Sequence, residues 1–255
     1  MILTDYHIHT QYSWDSKLEV DDVIVKAISL NYDIIAITEH LDLLPWEVSA
    51  HGIFSLRQYS AHIDALKEQH PQLRIIKGVE IGDYHLTKDY ALAMLDDYPM
   101  EMILGAVHFL SDRTNIASPR LKPISKEQII DYYKLHLQLV STCEMDILAH
   151  LGVYKRHYQQ PPDESFAMPI IKDILQVIIQ KGIALEINFS PFRKAYARSI
   201  PENWMIDLYR DLGGSLFSIG GDCHHIDHFH DFRHLLPEWI NDLELTTNNL
   251  LLLPD

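Results

Sequence analysis

"DIIAITEH", residues 33–40, is a run of isoleucine, alanine and threonine that closes on an acid and an imidazole. An apolar run of this length, rich in β-branched residues, reads as a strand buried on both faces. The same form recurs in "ILTDYHIH" (2–9), "RIIKGVEI" (74–81), "MILGAVHF" (102–109), "DILAHLG" (146–152), "ALEINFS" (184–190) and "LFSIGGDCH" (216–224). Helical patterns lie between these runs. Val20, Val23, Ile24, Ala27 and Ile28 follow the i, i+3, i+4, i+7, i+8 stripe of a helix packed on a sheet. Ser125 and Gln128 have capping-box spacing, with Ile129, Ile130, Tyr133 and Leu137 on one face behind them. "SLRQYSAHIDALKEQH" (55–70) and "ESFAMPIIKDILQVIIQKG" (164–182) are similar, the second closing on Gly182 as a C-cap. Unbroken strand–helix alternation predicts parallel strands joined by crossovers. A closed or nearly closed (β/α) barrel is the first expectation, and an open doubly wound sheet is the second.

Most of the runs end on residues able to bind metal. In "TDYHIHTQYSWDS" (4–16), His7 and His9 stand two apart and so project together, with Asp15 on the turn beyond. The second run ends with Glu39 and His40, the third with Glu80, the fourth with His108, the fifth with His150, and the last with Asp222 and His224. In a parallel barrel these ends share one rim, where active sites are built. Taken singly, Asp15 or Asp222 could be a helix cap and Glu80 a paired strand-end acid. Together, a buried rim of imidazoles and carboxylates without a cation would leave many desolvated polar groups unpaired, so a metal centre is predicted.

The 16 histidines exceed what packing calls for, yet only those at strand ends are candidates. His51, His62, His70, His85, His136 and His157 read as surface residues. In "HHIDHFHDFRH" (224–234), His225, His228, His230 and His234 read as solvated. A chain of 255 residues with 47% hydrophobic and 22% charged residues suits one sizeable core, and a single domain over 1–255 is expected. The formal charge of −15 argues against nucleic acid as a partner. No apolar run is long enough to span a membrane, and "NNLLLLPD" at the end is too short to anchor anything. With no signal-like start and only Cys143 and Cys223, the expected compartment is the cytoplasm.

The positions His7, His9, Asp15, His40, Glu80, His108, His150, Asp222 and His224 resemble the ligand set of the PHP (polymerase and histidinol phosphatase) family. The motif regions "HIHTQYSWD", "ITEH" with "GVE", "VHF" with "AH", and "GDCH" occur in order along essentially the whole chain. The resemblance implies a distorted seven-stranded (β/α) barrel of TIM-like type. It also implies three divalent ions, with zinc, manganese or iron suited to mixed nitrogen and oxygen ligands. His7, His9, Glu80 and Asp222 would hold the first ion, Glu80, His108 and His150 the second, and Asp15, His40 and His224 the third. Glu80 and Asp222 would be the catalytic carboxylates. "ITEH" and "EINFSPFRKAY" point, within the family, to stand-alone histidinol-phosphatases acting on a small phosphate ester in histidine biosynthesis. By the same likeness Arg193 would bind phosphate, together with Arg156 or its neighbour Lys155.

With three ligand carboxylates under three divalent ions the site would be cationic, so an acidic protein could bind a phosphate dianion. The proton donor to the leaving alcohol stays open between Asp222, His225 and a water. Asp42, Asp83 and Glu186 are candidates for the wall facing the substrate amine. "GGDCH" departs from the common Gly-Ser-Asp-Ala-His, and "SDRTNIASPRLKP" (111–123) departs from the family pattern. Other phosphoesters (a nucleotide, a sugar phosphate or phosphotyrosine) and the chemistry of metal-dependent amidohydrolases and deaminases are the alternatives. Cys223 lacks the nearby arginine of a phosphate-cradling cysteine loop and reads as a small buried side chain.

Overall fold

A computed structural model describes residues 2–119, 122–231, 233–235, 246 and 249–251. The strands are β1 (Thr4–Asp5), β2 (Ile34–His40), β3 (Arg74–Gly82), β4 (Met102–Ala106), β5 (Ile147–Leu148), β6 (Ala184–Asn188) and β7 (Phe217–Gly220). All neighbouring pairs are parallel and the sheet order follows the chain, β1 through β7. The two ends of this sheet meet. Tyr6 N donates to Ile219 O at 2.9 Å, Asp222 N to His7 O at 2.7 Å and His9 N to Cys223 O at 3.0 Å. The structure is therefore a nearly closed seven-stranded parallel barrel, and the open-sheet alternative is excluded by this seam.

The helices sit outside as their stripes predict. In α1 (Val20–Ser29) the buried residues are Val20, Val23, Ile24 and Ala27. Next come α2 (Pro45–His51), α3 (Leu56–Gln69) and α4 (Tyr84–Asp96). At the start of α5 (Lys126–Thr142), Ser125 Oγ accepts from Gln128 N and Gln128 Oε1 accepts from Ser125 N, both at 3.2 Å, so the capping box forms. In α6 (Met168–Lys181) the chain turns off at Gly182, whose φ of 69° is the left-handed conformation that glycine adopts at low cost. The ring of helices ends with α7 (Asn203–Asp211).

Strand parity positions the site. Inside the barrel a small apolar plug forms from Ile34, Ala36, Ile76, Met102, Leu104, Ala106, Ile147, Ala149 and Ala184. Successive inward positions lie two residues apart. Continuing each series past the plug reaches His40 from Ile34, Glu80 from Ile76, His108 from Met102 and Glu186 from Ala184. Polar side chains therefore lie on the plug at the C-terminal mouth.

The regular strands are shorter than the apolar runs. The run 2–9 yields only Thr4–Asp5 as ladder, and the run 146–152 only Ile147–Leu148. Beyond these ends the backbone bends to re-aim side chains. His150 and Asp222 take positive φ, 27° and 48°, a conformation that non-glycine residues hold only when the surroundings enforce it. Among the described residues, no helix is long and apolar enough to cross a membrane.

Candidate metal centre

All nine candidate ligands converge on the C-terminal mouth. Glu80 is their hub and is 1% exposed. Its Oε1 lies 2.7 Å from His150 Nε2 and 3.5 Å from His108 Nε2. Its Oε2 lies 3.4 Å from His7 Nε2, 3.5 Å from His9 Nε2 and 3.1 Å from His40 Nδ1. Asp222 Oδ1 lies 3.7 Å from His9 Nε2 and 3.6 Å from His224 Nδ1. Asp15 spans the outer pair, with Oδ1 3.6 Å from His40 Nε2 and Oδ2 3.3 Å from His224 Nε2. Side chains from residue 7 to residue 224 are thus within one cluster.

Compact groups of potential ligand atoms, each within 4.8 Å of one another, are His7 with His9 and Glu80, His7 with His150 and Asp222, Glu80 with His108 and His150, and His9 with His40 and His224. His7 Nε2 and His9 Nε2 point at each other across 3.0 Å. Buried Glu80 Oε2 and His40 Nδ1 approach to 3.1 Å without hydrogen-bond geometry, and neither has another hydrogen-bond partner among the described residues. Converging lone pairs and orphaned buried acceptors are what a cation cradle requires, and a mixed imidazole–carboxylate set fits transition metals or zinc. The residues fit the implied ions.

Electrostatics agree with that fit. Burial opposes charge on His7, yet Glu186, Glu80 and Asp222 hold its pKa well above 6.5. Burial likewise opposes charge on His108, and Asp42 and Glu80 outweigh it, raising the imidazole to about 10. Burial would raise the Glu80 and Asp222 carboxyls, but the surrounding imidazoles hold both far below the usual carboxylate range. His9 is the exception, pushed well down by burial and by His40 and His224. In the protein alone, protons occupy places that cations can take.

Further carboxylates hold the imidazoles from behind. Glu186 Oε1 lies 2.6 Å from His7 Nδ1, and its Oε2 accepts from His150 N at 2.5 Å. Such a partner fixes the ring and leaves Nε2 for a ligand role. Glu186 is therefore behind the cluster and does not form a wall facing substrate. Its inward parity with Ala184 was the signal available for this placement. Asp83 also turns away, 3.4 Å from the backbone N–H groups of both His108 and Phe109. Glu39 is fully buried and accepts from Thr10 and from Ser13 Oγ, so it braces the first turn. Of the amine-wall candidates only Asp42 lines the pocket.

The pocket above the cluster has a volume of about 510 Å³. Arg156 and Arg193 both line it. Arg156 Nε donates to Ala117 O at 3.0 Å, and its Nη1 lies 3.9 Å from Asp222 Oδ2. Arg193 Nη2 donates to Gly221 O at 2.6 Å and Asp222 O at 2.9 Å. Lys155 instead is buried and donates to Glu164 and Glu202 away from the pocket. Asn115, Ala117 and Ser118 of the unusual loop after β4 reach the rim. His225 is exposed and outside the lining, whereas His228 belongs to it. Glu47, which the sequence reading passed over, also lines it. Burial, reinforced by the charge of Asp42, pushes the Glu47 carboxyl up to about 8.

Comparison with known proteins gives a consistent result. The profile of the PHP domain matches residues 5–190. A protein of Clostridium acetobutylicum named "Probable histidinol-phosphatase" is 28% identical over 230 residues, 88% of this chain and 87% of that protein. The histidinol-phosphatase of Lactococcus lactis is 26% identical over 228 residues, 86% of this chain and 83% of its own length. Among solved structures, the histidinol phosphate phosphatase of Lactococcus lactis, complexed with zinc, L-histidinol and phosphate, superposes with a TM-score of 0.80 at 24% identity. It covers 96% of this chain and 95% of that one.

Proposed function

This chain belongs to the PHP domain family, and on that premise we propose that it is a metal-dependent phosphomonoester hydrolase. Its substrate is L-histidinol phosphate, which water converts to histidinol and inorganic phosphate. The observation that carries this reading is Glu80, a buried carboxylate reached by His7, His9, His40, His108 and His150 beneath a pocket walled by Arg156 and Arg193. The names of the relatives supply the substrate, and the site supplies the chemistry such an ester needs.

The cradle would hold three ions. His7, His9, Glu80 and Asp222 serve the first, Glu80, His108 and His150 the second, and Asp15, His40 and His224 the third. Zinc is the favoured metal, with manganese and iron as alternatives. Divalent cations bound there would supply Lewis acidity and a nucleophilic water at neutral pH. Arg156 and Arg193, oriented by the carbonyls of Ala117, Gly221 and Asp222, bind the phosphoryl oxygens and stabilise charge that develops on them. Asp222, held ionised by the imidazoles around it, would orient the attacking water by accepting a hydrogen bond from it, and a solvent water would supply the proton to the departing alcohol oxygen. We read the protein as one domain working in the cytoplasm.

The test is kinetic. Purified protein reconstituted with zinc or manganese should hydrolyse histidinol phosphate with a kcat/KM well above that for p-nitrophenyl phosphate, nucleotides and sugar phosphates. Turnover of histidinol phosphate no faster than p-nitrophenyl phosphate would refute the substrate assignment.

A further inference from the structure

The helix α2 buries a single side chain, and that side chain is Glu47. Glu47 is 7% exposed, and its Oε2 is buried without a hydrogen-bond partner among the described residues. It nevertheless lines the catalytic pocket. A carboxylate desolvated this far costs stability unless a cation or donor meets it.

The cation cradle does not meet that need. None of the compact groups of ligand atoms includes Glu47. Asp42, the other acid on this side, also has one oxygen, Oδ1, without a hydrogen-bond partner among the described residues, but it faces the ligand imidazoles of the cradle. Its Oδ2 accepts from Trp14 Nε1 at 3.2 Å, and its oxygens lie 3.7 Å from His40 Nδ1 and 3.8 Å from His108 Nδ1. The arginines do not answer it either. They follow β5 and β6, on the side of the barrel away from β2, and are tied to Ala117 and to the loop after β7. The pocket is therefore polarised, with guanidinium groups on one side and an unanswered carboxylate on the other.

We propose that Glu47 recognises the ammonium group of the leaving alcohol and so selects amine-bearing phosphomonoesters. This rests on the phosphatase reading above. An ammonium in the substrate would supply the missing partner, while the phosphoryl group sits on the arginine side. Arrival of the amine replaces an unpaired buried acceptor with a charge-assisted hydrogen bond. Glu47 is thus a specificity residue whose effect falls on one end of the substrate.

The experiment compares histidinol phosphate with its deaminated analogue, 3-(imidazol-4-yl)propyl phosphate, in the wild-type holoenzyme and in Glu47→Gln. The wild type should favour the amine by at least about tenfold in kcat/KM, through KM. In Glu47→Gln that ratio should fall toward one. A ratio that survives the substitution, or a wild type indifferent to the amine, overturns the proposal. The second outcome needs no folded variant. If the wild type hydrolyses neither ester faster than p-nitrophenyl phosphate, the histidinol phosphate assignment itself fails, and that result is separate from both.

Discussion

His136 shows what a single residue's surroundings can do that its letter does not announce. The sequence reading places it on the surface, but on α5 it is fully buried, with Nδ1 3.0 Å from Tyr132 O and its ring against Tyr132. Burial lowers its pKa from 6.5 to about 3. The folded state therefore keeps His136 neutral where the unfolded chain binds a proton. Between those values stability rises with pH and is lost on acidification. At pH 5 the loss from this group is about 2 kcal/mol. Urea unfolding of wild type and His136→Phe at pH 7.5 and pH 5 should show the variant losing about 2 kcal/mol less across that interval. Equal losses would remove the argument. Residues of the cluster were legible because they share strand ends. Glu186 and Glu47 were harder, because their roles depend on what stands opposite them in space, and α2 carries no apolar stripe to mark its inner face.

At the level of the element, apolar runs revealed where strands lie and their order, but not where they stop. Regular pairing carries His40 and Glu80 to the mouth within β2 and β3, but β5 and β7 end before His150 and Asp222, whose positive φ re-aims them toward the cluster. The end of β7 shows how tight this convergence is. A Cβ on Gly220 would overlap Glu186 Oε1 and lie 2.9 Å from His7 Cβ. The glycine lets Glu186 reach across to His7. Gly220→Ala should therefore retain its far-UV circular dichroism while losing activity and bound metal, each by at least about tenfold, as expected when a carboxylate behind a ligand is displaced. Metal analysis and assay of the same preparation test this, and full metal content would contradict it.

For the molecule as a whole, the formal charge of −15 suggests a poor host for a phosphate dianion, and composition alone would leave that impression. Cations held in the cradle would reverse it locally, because their charge would dominate the field at the mouth. Ions that bind the folded state and not the unfolded chain would also add to its stability. Stripping them with a chelator, at concentrations where they were about a thousandfold above Kd, should lower Tm by roughly 10 °C, recoverable with zinc or manganese. Differential scanning fluorimetry reads the shift, and an unchanged Tm would argue against a resident metal.

The barrel closes where the residues after β1 meet those after β7, and the same seam brings His7 and His9 to Asp222 and His224. On the ribosome this has a consequence in time. A nascent chain exposes its first two imidazoles early, but Asp222 and His224, which meet them across the seam, emerge only after more than 200 further residues. Activity thus arrives late in synthesis, and any product truncated before residue 222 carries an incomplete cradle on an unsealed barrel.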